Sequence, residues 1–341
     1  MASTLTAEVI RPALVAAAEL AASGRALEAI DTLTALARQH RDPRLLRRLV
    51  HLRNDAFDEI VGPPGRSVWP PVVEDPFPAA DGVPEIAADS LGASALSGAI
   101  THHGALLVRG LVDEATCAAL CERIDRGYAA RDRVAAGEDQ AAVQPDWVQF
   151  RKGAGSVKRF AAQSFVRVAE LPDVCFDLVD LFAATGVTGA VAEHLGERPA
   201  MMAHKWVVRR QVGGKKLTDF HQDGAFLGEG IRTVDCWIAL SACGPGTGCP
   251  GIEFLPRRVD HVLEVGGAAA FDWSLAEDVV MAASGGAALS APTFAAGDAL
   301  FFDELLPHRT GRGRSLGTRY AVESWFVAPS SYPDSHVPLV L

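Results

Sequence analysis

The sequence predicts an α+β fold, with helices leading into a β-rich half built as a sandwich or jelly roll. Three observations predict it. The first 60 residues carry apolar stripes at helical spacing. Beyond residue 204, short apolar runs alternate with Gly, Pro, Asp and Ser clusters. A proline-rich stretch separates the two textures. The bulk numbers agree with a folded globule. Of 341 residues, 49% are hydrophobic and 22% charged, so the chain is far from the composition of disorder.

The first expected unit is a helical extension, residues 1–61. Leu14, Ala17, Ala18 and Ala21 form one stripe, and Leu27, Ile30, Leu33, Thr34 and Ala37 a second. Ser23-Gly24 breaks between them. Asp42-Pro43 opens a third helix carrying Leu45, Leu46, Leu49 and Leu52. No second copy at a fixed period marks a repeat array. The extension therefore reads as helices packed on the main domain, with a docking surface for a protein partner as the alternative.

Residues 62–85 hold seven prolines, Pro63, Pro64, Pro70, Pro71, Pro76, Pro78 and Pro84, which exclude a helix or a central strand. They form an extended connector. The main domain, 86–341, opens with a buried strand in 104–112, before which His102 and His103 read as structural. Asp113 then caps a helix to about Asp132. Residues 133–165 are irregular, and Trp147, Phe150 and Phe165 there suit a substrate lid, with Lys158 and Arg159 on a solvated face. A helix is expected over 173–196. Strands follow at 204–211, 233–241, 251–255, 298–302 and 319–327, with Trp237 and Trp325 as core and His204 as a satisfied strand histidine.

Charge and composition exclude several classes. Asp plus Glu outnumber Lys plus Arg by 42 to 32, a net charge of -10, which argues against a nucleic-acid partner. No apolar run is long enough to span a bilayer, and no secretory leader is visible, so a cytoplasmic protein is expected. The six cysteines make no C-x-x-C pair and read as free thiols.

The chemistry concentrates in two places. His221 and Asp223 stand two apart in TDFHQDGAF, so an extended backbone points both to one face. With ten His and 42 acidic residues, roughly one such pair arises by chance, so the pair needs a third ligand. His308 lies just past the apolar run 299–302. Alone it reads as a solvated turn histidine; together the three make the two-His, one-carboxylate set that leaves three positions open on iron. Arg319 opens the run RYAVESWFV, which puts Arg319, Ala321, Glu323 and Trp325 on one side and Tyr320, Val322, Ser324 and Phe326 on the other. An Arg at the start of a buried strand needs a partner, and a dicarboxylate cosubstrate suits it, with the Thr310 hydroxyl beside it.

HQD, then His308 after a G-D strand, then Thr310 and Arg319, together with GALLVRGLVD and Trp237 in VDCWIALS, resemble the phytanoyl-CoA dioxygenase (PhyH-like) family. The resemblance covers about residues 95–327. It implies a double-stranded β-helix (jelly-roll, cupin-like) core, Fe(II), 2-oxoglutarate as cosubstrate and O2. It assigns His221, Asp223 and His308 to iron and Arg319 with Thr310 to the far carboxylate. Trp237 and a polar residue of the strand before HQD, taken as Arg209 but open to Arg210, Gln211 or Lys205, would complete the cosubstrate pocket. It implies oxidation of an unactivated C–H bond of a small molecule, with succinate and CO2 as coproducts. The carboxylate at Asp223 points to hydroxylation, since related halogenases carry a small residue there. Arg257 and Arg258 depart from the family's Gly-Ser. They suggest an anionic substrate at the mouth, the alternative being surface arginines. Two other readings remain: a carrier- or protein-directed oxygenase docking through residues 1–60, and a non-catalytic ligand-binding barrel.

Overall fold

The computed structural model describes residues 7–148, 165–213, 219–264, 273–313 and 316–341. Phe150, Lys158 and Arg159 fall outside them. Three helices come first: α1 (Ala7–Ala22), α2 (Ala26–His40) and α3 (Pro43–Asp55). Gly24, at φ +74°, turns the chain after α1. Asp42 caps α3 by accepting from the Arg44 amide at 2.9 Å, with Pro43 in the first turn. All four expected leucines of α3 are buried. On α1 the stripe is rotated from expectation: Ile10 and Ala17 are buried, whereas Ala18 faces solvent.

These helices share one core with Phe176 and Val340 from the body of the protein. The buried Arg53 donates to the Val340 carbonyl at 2.7 Å, and Asn54 donates to that of Pro338 at 2.9 Å. Arg38 and Arg41 pair with Asp180 and Asp177 at 2.8 and 2.6 Å. The extension is thus packed on the body.

The proline-rich segment contains no helix and lies along the surface. The Arg66 Nε donates to the His194 carbonyl, His102 bonds the Val73 carbonyl and His103 bonds Asp75. Both histidines are structural, as expected. Next come β1 (Glu85–Ala87), α4 (Ala93–Gly98) and β2 (Ala105–Arg109). The helix capped by Asp113, α5 (Glu114–Ala135), runs three residues beyond expectation, and its cap accepts from the Thr116 amide at 2.8 Å. Then come α6 (Gln140–Val143) and β3 (Val166–Arg167).

The helix expected over 173–196 is two, α7 (Pro172–Ala184) and α8 (Val187–Leu195). Gly186, at φ +77°, breaks them and the pair is bent by 75°. Among the described residues, no single helix is long and apolar enough to cross a membrane.

The remaining elements are β4 (Ala200–Met202), β5 (Val207–Gln211), α9 (Gly224–Leu227), β6 (Thr233–Ala239), β7 (Ile252–Phe254), α10 (Glu277–Ala283), β8 (Ala299–Phe302), β9 (His308–Thr310), β10 (Arg319–Val327) and β11 (Pro338–Val340). The strand expected from 204 begins at 207, because a turn occupies 203–205. A large sheet runs β1-β2-β8-β6-β10-β4-β11, with β5 also on β10 and β3 on β5. A smaller sheet pairs β7 with β9, and His221 bridges to both His308 and Ser274 beside it. Leu107, Trp237, Phe254, Phe294, Leu300 and Phe302 fill one core against the large sheet. The side chains of Val234, Cys236, Ile238, Val322 and Phe326 join the core under α5, α7 and α8. This is a jelly roll with helices on its outer face.

Candidate active site

Backbone pairing brings the two ligand segments together. The His221 amide donates to the His308 carbonyl at 3.0 Å, and the His308 amide returns the bond at 2.9 Å. Between the ligands, Gln222 is fully buried. It donates to the carbonyls of His261 and Leu305 at 3.0 and 2.6 Å and accepts from the Leu263 amide at 2.7 Å. That clasp fixes the HQD backbone, so His221 and Asp223 cannot drift apart.

One ligand atom from each of His221, Asp223 and His308 lies within 4.8 Å of the others. The two rings are 4.3 Å apart centre to centre, and His221 Nε2 is 3.6 Å from Asp223 Oδ1. Each histidine Nδ1 bonds a carbonyl two residues back, Asp219 and Leu306, both at 3.0 Å. That contact leaves Nε2 as the lone-pair nitrogen facing inward. Burial lowers His221 well below the ordinary imidazole value, and His308 beside it adds to this, so the ring is neutral as a ligand must be. Burial pushes Asp223 up to about 6. A cation at this point favours its charged form. The donor set, two imidazole nitrogens and one carboxylate, therefore fits Fe(II).

The triad faces a cavity of about 750 Å³. Arg319, Thr310, Trp237 and Arg209 all line it, so the structure gathers every residue expected at the site. Arg319 is 6% exposed and donates through Nη1 to the carbonyls of Pro250 and Gly251 at 2.9 and 3.1 Å. Its Nε is buried without a hydrogen-bond partner, and among the described residues no carboxylate pairs with it. A guanidinium aimed into a cavity with donors to spare fits the far carboxylate of 2-oxoglutarate. Trp237 is nearly buried, its ring centre 5.9 Å from the Arg319 guanidinium carbon.

Arg209 is committed elsewhere. It forms a two-point ion pair with Glu323, both contacts at 2.8 Å. Burial would push Glu323 up, but the Arg209 guanidinium outweighs it and holds the carboxyl below its ordinary value. The alternation expected for 319–326 holds: Arg319, Glu323 and Trp325 line the cavity.

Some expectations fail. Arg257 and Arg258 do not line the cavity. Arg258 pairs with the buried Asp303 and with Asp260. Its side chain neutralises the buried Asp303, and Arg257 is exposed, so the alternative reading as a surface arginine holds for Arg257 and the pair supplies no anionic mouth. Trp147 packs on the core under the helices, away from the cavity, whereas Phe165 lines it. Reading the sequence for ligands missed Phe226, Trp273, Asp235 and Tyr128, which also line the cavity. They come from separate elements, and only the rank of Asp235 two before Trp237 on one strand gave any signal.

The chain is similar to several solved structures. SnoK, a non-haem α-ketoglutarate-dependent carbocyclase from nogalamycin biosynthesis, is 15% identical with a TM-score of 0.45, covering 71% of this chain and 85% of that one. The epimerase SnoN, in complex with Fe3+, α-ketoglutarate and nogalamycin RO, is 19% identical (TM-score 0.42; 68% and 82% covered). EvdO2 from Micromonospora carbonacea var. aurantiaca, complexed with 2-oxoglutarate, is 16% identical (TM-score 0.42; 71% and 90%). No curated protein matches the chain. The model of the phytanoyl-CoA dioxygenase family matches residues 100–321, which include the whole triad and Arg319. The chain therefore belongs to the phytanoyl-CoA dioxygenase (PhyH) family of oxygenases that depend on iron, 2-oxoglutarate and O2.

Proposed function

We propose that this protein oxidises an unactivated C–H bond of a small molecule, most simply by hydroxylation. The observation that carries the reading is one cavity shared by a buried two-His, one-carboxylate set and a buried guanidinium that pairs with no carboxylate among the described residues. When bound, iron and 2-oxoglutarate supply the oxidising power from O2, with succinate and CO2 released.

The chain's own residues do the rest. His221, Asp223 and His308 would hold the metal, their rings locked by the Asp219 and Leu306 carbonyls. Arg319, steadied by Pro250 and Gly251, would hold the far carboxylate, with the Thr310 hydroxyl beside it. Phe302, whose ring centre is 4.9 Å from that of His308, and Trp237 keep water from this end. Asp223 fills the position a halide would need, which favours oxygenation over halogenation.

Succinate release from 2-oxoglutarate tests this directly. The protein is loaded with Fe(II) without oxygen and then exposed to air, with Asp223→Ala alongside. Turnover is expected in the wild type and lost in the variant. Iron shown to be bound, with no succinate formed over a broad substrate panel, would favour the non-catalytic barrel.

A further inference from the structure

We infer that the end of the cavity remote from Arg319 is a substrate subsite that reads an anion: Lys205 binds a carboxylate or similar small anion on a flat apolar body. The inference rests on the oxygenase reading and adds the class of substrate to it. The Lys205 Nζ sits 3.9 Å from the centre of the Phe226 ring and 5.1 Å from that of Trp325. Those rings stack on each other at 5.9 Å and 21°. Phe226 meets Trp273 edge-on at 6.2 Å, and Trp273 meets the metal ligand His221 edge-on at 5.5 Å. An aromatic wall thus runs from the ammonium to the reacting centre.

Among the described residues, the Lys205 ammonium has no hydrogen bond and no carboxylate within ion-pair distance, although the residue is half-buried and lines the cavity. Ring faces satisfy an ammonium only weakly. An anion entering the cavity meets a positioned cation that forms no ion pair among the described residues, although the charges of Asp223, Glu323 and Asp235 reach it. By contrast, Arg209 is closed off by Glu323.

The two free cations serve different ligands. Lys205 lies against Trp325, six residues along β10 from Arg319, which is about 20 Å at the strand rise. A five-carbon dicarboxylate spans only roughly 6 Å. The cavity of about 750 Å³ is well beyond the needs of 2-oxoglutarate. The aromatic wall borders the remaining volume and suits a flat apolar body.

Calorimetry on the full chain tests this, with Fe(II) and saturating 2-oxoglutarate bound in the absence of oxygen so that Arg319 is occupied. The probes are 2-naphthoate, 2-naphthalenemethanol and 2-naphthylmethylamine, one ring system with anionic, neutral and cationic heads. The wild type should prefer the naphthoate to the alcohol by about tenfold or more, with the amine weakest. Lys205→Met should erase that preference while still binding the alcohol. Lys205→Gln should do the same, and thermal unfolding confirms that each variant is folded. Equal binding of naphthoate and alcohol by the wild type overturns the proposal, as does a preference that survives both substitutions. Loss of 2-oxoglutarate affinity in Lys205→Met also overturns it, because Lys205 would then belong to the cosubstrate. A wild type that binds no 2-oxoglutarate refutes the oxygenase reading instead, and the naphthoate-to-alcohol comparison is still read separately.

Discussion

Replacing Arg319 with Leu should uncouple the protein from 2-oxoglutarate while leaving it folded. In the structure the guanidinium spends Nη1 on the Pro250 and Gly251 carbonyls, and its buried Nε has no hydrogen-bond partner among the described residues. Two charge-assisted bonds to a carboxylate contribute about 1.5–3 kcal/mol each, and breaking a buried pair by removing one partner costs about 3–5 kcal/mol, the loss expected here. That is roughly a hundred- to several-thousandfold in Kd. The ligand-free protein responds differently. Losing a buried cation without a counter-ion helps, while leaving two carbonyls short of a donor hurts, and the two effects oppose each other. Thermal unfolding with bound metal separates these effects. At a concentration a hundred times its Kd, 2-oxoglutarate stabilises the wild type by about 2.7 kcal/mol, whereas the variant should gain almost nothing at that concentration. Arg319→Lys keeps the charge but loses the fork, and should fall between. A wild-type stabilisation in Arg319→Leu would refute the assignment of this residue.

Three more predictions follow from burial and hydrogen bonding. Gln222→Leu leaves the carbonyls of His261 and Leu305 and the amide of Leu263 without their partner, so it should lower stability by about 2–4 kcal/mol and weaken metal binding; unchanged values on melting and metal titration would remove its role as a clasp. Glu170 is 1% exposed, and burial raises its carboxyl to about 7. Since that folded value lies above the unfolded one, the folded state binds the extra proton, and stability should fall as pH rises from about 4.5 to 7, by on the order of 3 kcal/mol. Glu170→Gln should flatten that slope in melting curves, and an equally steep slope in the variant would show that another group causes it. Deleting residues 1–60 exposes Phe176 and Val340 and removes the Arg53 bond, so the truncated protein should be strongly destabilised; normal melting with loss of activity only on a tethered substrate would favour a docking role.

The parts of the fold legible in the sequence are those with a long enough period or an unambiguous cap. Strand β10 showed both faces over eight residues, and Asp113 marked the start of α5. Strands β1, β3, β4, β9 and β11 have two or three residues each, too few to show alternation. His308 was legible as chemistry before its strand was. The break between α7 and α8 was foreshadowed by Thr185-Gly186, a helix-stop signal that the apolar run on both sides masked. Arg257 and Arg258 misled because their neighbours along the chain say nothing of Asp303, 45 residues away, which fixes where Arg258 points. The aromatic wall was invisible for the same reason: Phe226, Trp273 and Trp325 meet only once the sheets have closed.

Strand β10 acts as a ruler for the reaction. Paired with β5 and β6 on its two sides, it turns Arg319, Glu323 and Trp325, four and two residues apart, toward the cavity, and Val322 and Phe326 into the opposite core. The spacing between the guanidinium end of the cavity and its aromatic end is therefore set by the pleat of one strand. A single inserted or deleted residue would turn every one of these side chains to the wrong face at once. Diversification of such an enzyme should proceed by exchanging side chains at alternate positions of this strand while its length stays constant.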